Sequence, residues 1–255
     1  NILYNMERLS ANKQNGVGEA FDPHAPITHT KSPIVQGTSV LGVKYKGGVM
    51  LAADTLGSYG GLARFKDLRR IRPVGDFTLL GAGGEYSDYQ YIMQQLDRAT
   101  THDYCVDDGS TLDPSNVHSL LTRMMYQRRN KGDPLWNSLI VAGCKPGKGP
   151  FLGYVDSIAT AYEGDFIATG YGGHLAIPIM RNEWKADMTE EEAFGLLRKC
   201  MEVLYYRDCR TLNRITFATV TEDGANVREP VHLKTEWEYA LFVKPKAGGD
   251  TDGSW

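Results

Sequence analysis

Thr38 follows Gly37 and opens the stretch GTSVLGVKYKGGVMLAAD, which runs to Asp54. A threonine in that place has one distinctive chemistry. If the chain is cut after Gly37, the freed α-amine acts as general base for the residue's own hydroxyl, and Thr38 becomes an N-terminal nucleophile. The reaction needs neighbours that tune the amine and hold a water. The sequence offers Asp54 at the end of the second strand, a cation from Arg69 or Arg70, and Asp208 beyond a long helix. A Gly-Thr step ahead of a strand is also an ordinary piece of backbone, so these residues alone leave both readings open.

Two glycine turns raise a second possibility. Gly170-Tyr171-Gly172-Gly173 sits between a strand and a helix, where backbone N–H groups meet a phosphate. The GxGxxG spacing fails because Leu175 holds its last position, and no P-loop lysine follows. Gly81-Ala82-Gly83-Gly84 reads as a strand end passed closely by another backbone. A tight turn is the better reading of the first, which leaves a nucleotide-binding domain as a poor alternative.

Composition narrows the class. A net charge of -3 carries no polyanion footprint, so no nucleic-acid partner is expected. The densest basic run, YQRRNK from Tyr126 to Lys131, reads as a solvated helix end. Cys105, Cys144, Cys200 and Cys209 are far apart with no CxxC pair, which argues for a reducing compartment rather than a disulfide framework or zinc site. The six histidines form no HxxxH, so neither a metal nor another cofactor is expected. Nothing approaches the roughly 20-residue apolar run of a membrane span, and no membrane partner is expected. The first residues, NILYNMERLS, lack the basic and apolar regions of a secretory signal. The expectation is a soluble intracellular protein.

The elements that must position these residues follow from periodicity. Residues 11–33 are polar and rich in Gly and Pro, an extended arm, and the globular part starts near Ile34. Leu41, Val43 and Tyr45 alternate with Gly42, Lys44 and Lys46, predicting a strand with one polar face. Val49 to Ala53 is wholly apolar, a buried strand, and Phe77 to Gly83 is a further strand candidate. Tyr89, Ile92, Leu96 and Ala99 share one helical face. A second helix has Asp113 as N-cap, Pro114 at its first position and a stripe of Val117, Leu120, Leu121, Met124 and Met125. Strands return at Asn137 to Gly143 and Phe151 to Asp156. A capping box at Thr189-Glu190-Glu191-Glu192 then opens a long helix striped by Ala193, Leu196, Leu197, Cys200, Met201 and Leu204. The last strands form a hairpin about Asp223-Gly224. Helices grouped in pairs between blocks of strands predict sheet packed on sheet with helices outside.

These motifs carry a family resemblance. From about Thr30 to Val243 the chain resembles a proteasome beta subunit, on GTSVLGVKYKGGVMLAAD, LLGAGG before the first helix, NSLIVAG, ATGYGG and LYYRDCR. Three longer runs, GSYGGLARF, MMYQRRNKGDPLWN and VLYYRDCR, resemble a non-catalytic member of that family. The resemblance implies an α+β fold, the four-layer αββα sandwich of the N-terminal-nucleophile hydrolases. It implies a leader arm over 1–29, the domain over 30–243 and a tail over 244–255. It puts the nucleophile position at Thr38 and a matching aspartate at Asp54. The essential lysine falls at Arg70, a departure, because a guanidinium cannot shuttle a proton. The oxyanion-hole glycine falls at Gly84. The water-holding serine becomes Tyr171, a second departure. The late aspartate matches Asp208, and the serine three residues on becomes Thr211, followed by Leu212 and Asn213 in place of glycines.

Groups that act as a unit fail together, and losing one typically costs about 10³-fold or more. The expectation is therefore a degenerate site in a non-catalytic subunit of the 20S core, with Thr38 an internal strand residue bonded locally. Leader cleavage is expected between His29 and Thr30, made by an active neighbour. The implied partners are other beta subunits of the same and the opposite ring, alpha-ring subunits and assembly factors, in cytoplasm and nucleus. The leader residues Tyr4, Met6 and Leu9, the helix HSLLTRMMYQRR and the C-terminal tail are expected contact surfaces. The rival is an active threonine peptidase using Thr38.

Overall fold

The computed structural model describes residues 32–109 and 111–238. Two antiparallel sheets lie face to face. One is eight-stranded: β1 (Val35–Gly37), β4 (Gly57–Tyr59), β5 (Leu62–Phe65), β6 (Ile71–Pro73), β7 (Thr78–Glu85), β8 (Asn137–Lys145), β9 (Gly149–Val155) and β10 (Ala161–Glu163), in the order β10-β9-β8-β7-β1-β4-β5 with β6 beside β7. The other is six-stranded: β2 (Val40–Tyr45), β3 (Gly48–Asp54), β11 (Phe166–Ala168), β12 (Arg214–Thr221), β13 (Gly224–Val227) and β14 (Val231–His232), in the order β11-β2-β3-β12-β13 with β14 also on β12. Helices α1 (Tyr86–Val106) and α2 (Pro114–Asn130) cover the first sheet. Helices α3 (Gly172–Leu175), α4 (Ile177–Glu183) and α5 (Glu190–Arg207) cover the second. This is the expected four-layer αββα sandwich.

Three apolar layers follow from the sequence periods. Tyr89, Ile92, Leu96 and Ala99 of α1 and Val117, Leu121 and Met125 of α2 pack on Leu80, Leu139 and Val141. The full predicted stripe of α5 is buried against Leu41, Val43, Met50 and Phe217. Between the sheets, Val40, Val49, Leu51 and Ala53 meet Leu79, Ile140, Ala142 and Leu152. The capping box at Thr189 and Glu192 forms in both directions, and the β12–β13 hairpin turns at the predicted place.

Three expectations need correction. β2 has no polar face: Val40, Leu41, Gly42 and Val43 are all buried. Its second face looks into the space between the sheets. There a Cβ at Gly42 would stand 2.9 Å from methyls of Leu51 and Leu152, so a missing side chain rather than a polar one makes the pattern. Only Lys44 is polar, half-buried and paired with Asp165 at 3.3 Å. Asp113 holds the N-cap position of α2 but its carboxylate does not cap. It pairs with Lys145 at 2.5 Å and with Lys148, and these ammonium groups hold its carboxyl below the usual range. Finally, the helix expected as a contact surface does not offer its methionines: Met124 and Met125 lie in the core, as its apolar stripe predicts, and Tyr126 is exposed.

The start of α2 sits directly on β8. A Cβ at Gly143 would lie 2.2 Å from the Pro114 ring and 2.9 Å from the Phe77 carbonyl, neither of which can turn aside. Gly143→Ala must lift the helix, and overpacking of this kind costs about 1–3 kcal/mol. Denaturant unfolding of the purified variant checks this, with a lowered midpoint at unchanged slope as the expected outcome.

Candidate functional site

Thr38 and Ser39 are the two residues by which the chain crosses from β1 in the eight-stranded sheet to β2 in the six-stranded one. Thr38 is thus not a residue within a strand, and its hydroxyl has a long-range partner besides the local one, the Ser39 hydroxyl at 3.5 Å. Thr38 Oγ1 donates to Oδ2 of Asp208 at 2.5 Å, 170 positions away. Asp208 is the C-cap of α5; its N–H closes on Leu204 at 2.7 Å and its other oxygen accepts the Arg210 N–H at 2.9 Å. Beside it, Ser39 Oγ accepts the Gly172 N–H at 2.9 Å and Thr169 Oγ1 accepts the Val40 N–H at 2.8 Å, which fix the glycine turn against the crossing.

Arg70 fills the interior next to this crossing, only 2% exposed. Every nitrogen of its fork is engaged. Nη1 donates to the Asp54 carboxylate and carbonyl, Nη2 to the carbonyls of Thr38 at 2.5 Å and Ser39 at 3.0 Å, and Nε to Ala82 O at 3.3 Å. Asp54 ends β3 and is 1% exposed; it also accepts N–H groups from Leu212 at 3.2 Å and Leu56 at 3.3 Å. Burial pushes its carboxyl up to about 6, against the pull of Arg70 and of the two amides. Burial likewise lowers the Arg70 pKa, against the pull of Asp54. Asp54 thereby ties the end of β3 to a buried arginine.

The residues ahead of Thr38 form part of the sheet. β1 lies between β4 and β7, with Val35 opposite Tyr59, Gln36 opposite Ser58 and Glu85, and Gly37 opposite Gly84. The Glu85 carboxylate accepts the N–H groups of Ile34 and Val35, the latter at 3.0 Å, and the Ser58 hydroxyl donates to Gln36 O at 3.2 Å. Gly37 must be glycine, since a Cβ there would meet Arg70 Nε at 2.3 Å. Gly84 has φ +91° and room for no Cβ, with the Trp136 carbonyl 2.0 Å from where one would sit.

The structure therefore joins Thr38, Asp54, Arg70 and Asp208 in one cluster and sets Gly84 beside it. Tyr171, 60% exposed at the start of α3, adds no side-chain hydrogen bond to the cluster among the described residues. The Thr211 hydroxyl is buried with no partner among those residues. Arg69 is exposed and stands outside the cluster. His29 and Thr30, the expected cleavage pair, lie outside the described residues. Sequence reasoning missed Glu85 and Ser58, whose only local signal is a polar side chain, at the end of β7 and in the middle of β4. In this geometry the nitrogen of Thr38 is a peptide amide, its hydroxyl is spent on Asp208, and the neighbouring cation cannot give up a proton.

Removing one partner of a buried ion pair leaves an uncompensated charge and costs about 3–5 kcal/mol. Arg70→Met is expected to lower stability by that amount. In the double variant Asp54→Asn/Arg70→Met the two losses should fall short of their sum by about 1 kcal/mol or more. Urea unfolding of the two single variants and the double variant measures the coupling; additivity would show that the pair is not one unit.

With this arrangement in view, the comparisons with known proteins are direct. The family model described as proteasome subunit matches residues 34–220. The proteasome subunit beta type-4 of Arabidopsis thaliana is 48% identical over 226 residues, covering 89% of this chain and 91% of the relative. That of Xenopus laevis is 48% identical over 239 residues, covering 93% and 98%. The proteasome subunit beta type-7 of Saccharomyces cerevisiae is 38% identical over 231 residues, covering 86% and 87%. The chain belongs to the proteasome beta-subunit family.

Proposed function

We propose that this chain is a non-catalytic, structural subunit of the 20S proteasome beta ring, which supports assembly of a particle that degrades proteins. The observation that carries this reading is Arg70. A proton-shuttling lysine needs a donor that comes and goes, whereas this guanidinium stays charged, and its nitrogens are all held by Asp54 and three further carbonyls. Two features add support. The strand Val35–Gly37 occupies the interval between β4 and β7, where an extended peptide would otherwise pair with both edges. The Thr38 hydroxyl points its proton at a carboxylate instead of at an amine.

The partners proposed are beta subunits of its own and the opposite ring and alpha-ring subunits, with the particle in cytoplasm and nucleus. The rival, an active threonine peptidase, would need cleavage after Gly37. That cut would free β1 from the crossing and also sever the covalent link between the two sheets at this point.

Three measurements on the purified assembly test the proposal. Intact mass should place the N-terminus of this chain upstream of Thr38, with Thr30 the expected first residue. A threonine-directed electrophile that labels the particle's active subunits should leave this chain unlabelled, and Thr38→Ala should leave the particle's peptidase rates unchanged. A chain beginning at Thr38 and carrying the label would overturn the reading.

A further inference from the structure

On the side of the molecule where β6 faces β13, a cleft of about 400 Å³ opens between the two sheets. Four arginines line it, Arg69, Arg72, Arg214 and Arg228, against two carboxylates, Asp67 and Glu229. Arg214 is paired with Asp67 at 2.8 Å, and Arg228 reaches out to Glu190. Arg69 and Arg72 are exposed and have no ion-pair partner among the described residues. The lining therefore holds two cations more than anions. That excess stands out on a chain whose net charge is -3, where a general basic surface is not expected.

The backbone beside these arginines is open as well. β6 is hydrogen-bonded to β7 on one edge, no strand among the described residues pairs with its other edge, and all three of its residues line the cleft. A free strand edge accepts an extended chain by main-chain pairing, and a guanidinium takes a carboxylate through two parallel hydrogen bonds. Pro73 closes one end of that edge, since it has no N–H to offer. A small oxyanion would use the arginines and leave the strand edge idle, so the combination favours a peptide.

We propose that this cleft receives an extended acidic segment of a neighbouring subunit, with carboxylates paired to Arg69 and Arg72. The proposal rests on the reading of the chain as a ring subunit, but not on whether Thr38 is active. Charge complementarity of this kind governs register and choice of partner more than raw affinity.

The test uses the purified particle. Val227, on the rim of the cleft and 38% exposed, is replaced by a photo-reactive residue, Val227→p-benzoylphenylalanine, and cross-linked peptides are read by mass spectrometry. The expected product joins position 227 to a peptide of another subunit containing at least two Asp or Glu residues. In parallel, incorporation of Arg69→Glu/Arg72→Glu into particles should fall about tenfold or more relative to the parent chain, while Arg69→Lys/Arg72→Lys keeps most of it. Both side chains are exposed, so circular dichroism of the reversed variant should match the parent. A cross-link confined to this chain, one to a segment without acidic residues, or full incorporation of the reversed variant would each overturn the proposal. Electrophile labelling of Thr38 would instead overturn the non-catalytic reading and leave the cleft untouched.

Discussion

The buried pair of Asp54 and Arg70 is the constraint around which the molecule is arranged. Two charges withdrawn from water cost several kcal/mol each, and that cost is offset only where the remaining hydrogen-bonding capacity is filled. Here it is filled completely on the arginine side. The fork reaches the end of β3 in one sheet, Ala82 of β7 in the other, and the Thr38–Ser39 crossing between them. One side chain thus fixes the spacing of the two sheets at the end where the chain passes from one to the other. A lysine in its place would offer three donors from a single atom and could not span these directions.

Several residue choices follow from that one side chain. Gly37 has no Cβ because Arg70 lies against its Cα, and Asp54 draws in the N–H groups of Leu56 and Leu212, which shapes the loop after Asp208. Asp208 is then placed to accept from Thr38. A cluster with the residue types of a hydrolytic site thereby becomes a joint. The same polar groups that would tune a nucleophile are here used to satisfy one another.

The upstream strand completes the joint. β1 supplies the connection between β7 and the β4–β5 hairpin, and the Glu85 carboxylate and Ser58 hydroxyl hold it there. Without it the hairpin would lose its only strand neighbour among the described residues, and two strand edges would lie open. The residues ahead of Thr38 thus have a structural use in this arrangement.

The sequence by itself determined the element types, because burial on one face imposes a period that survives in any context. The α5 stripe was legible for that reason, and the Thr189 capping box and the Asp223-Gly224 hairpin from their local residue pattern; Thr38, Asp54 and Asp208 stood out by residue type, and Arg70 was separated from Arg69 only by what the family resemblance implies. It did not reveal that Gly42 lies against a second sheet, because an absent side chain looks the same whether it faces water or a packed layer. Nor did it reveal that Asp113 serves two lysines of the β8–β9 hairpin instead of its own helix. Only the tertiary structure decided the partners of the polar groups: the Thr38 hydroxyl with Asp208, Arg70 with the carbonyls of Thr38, Ser39 and Ala82 as well as with Asp54, and Glu85 with the amides of Ile34 and Val35. Hydrogen bonds of that reach join residues 12 to 170 positions apart, and nothing local in the chain encodes which donor meets which acceptor.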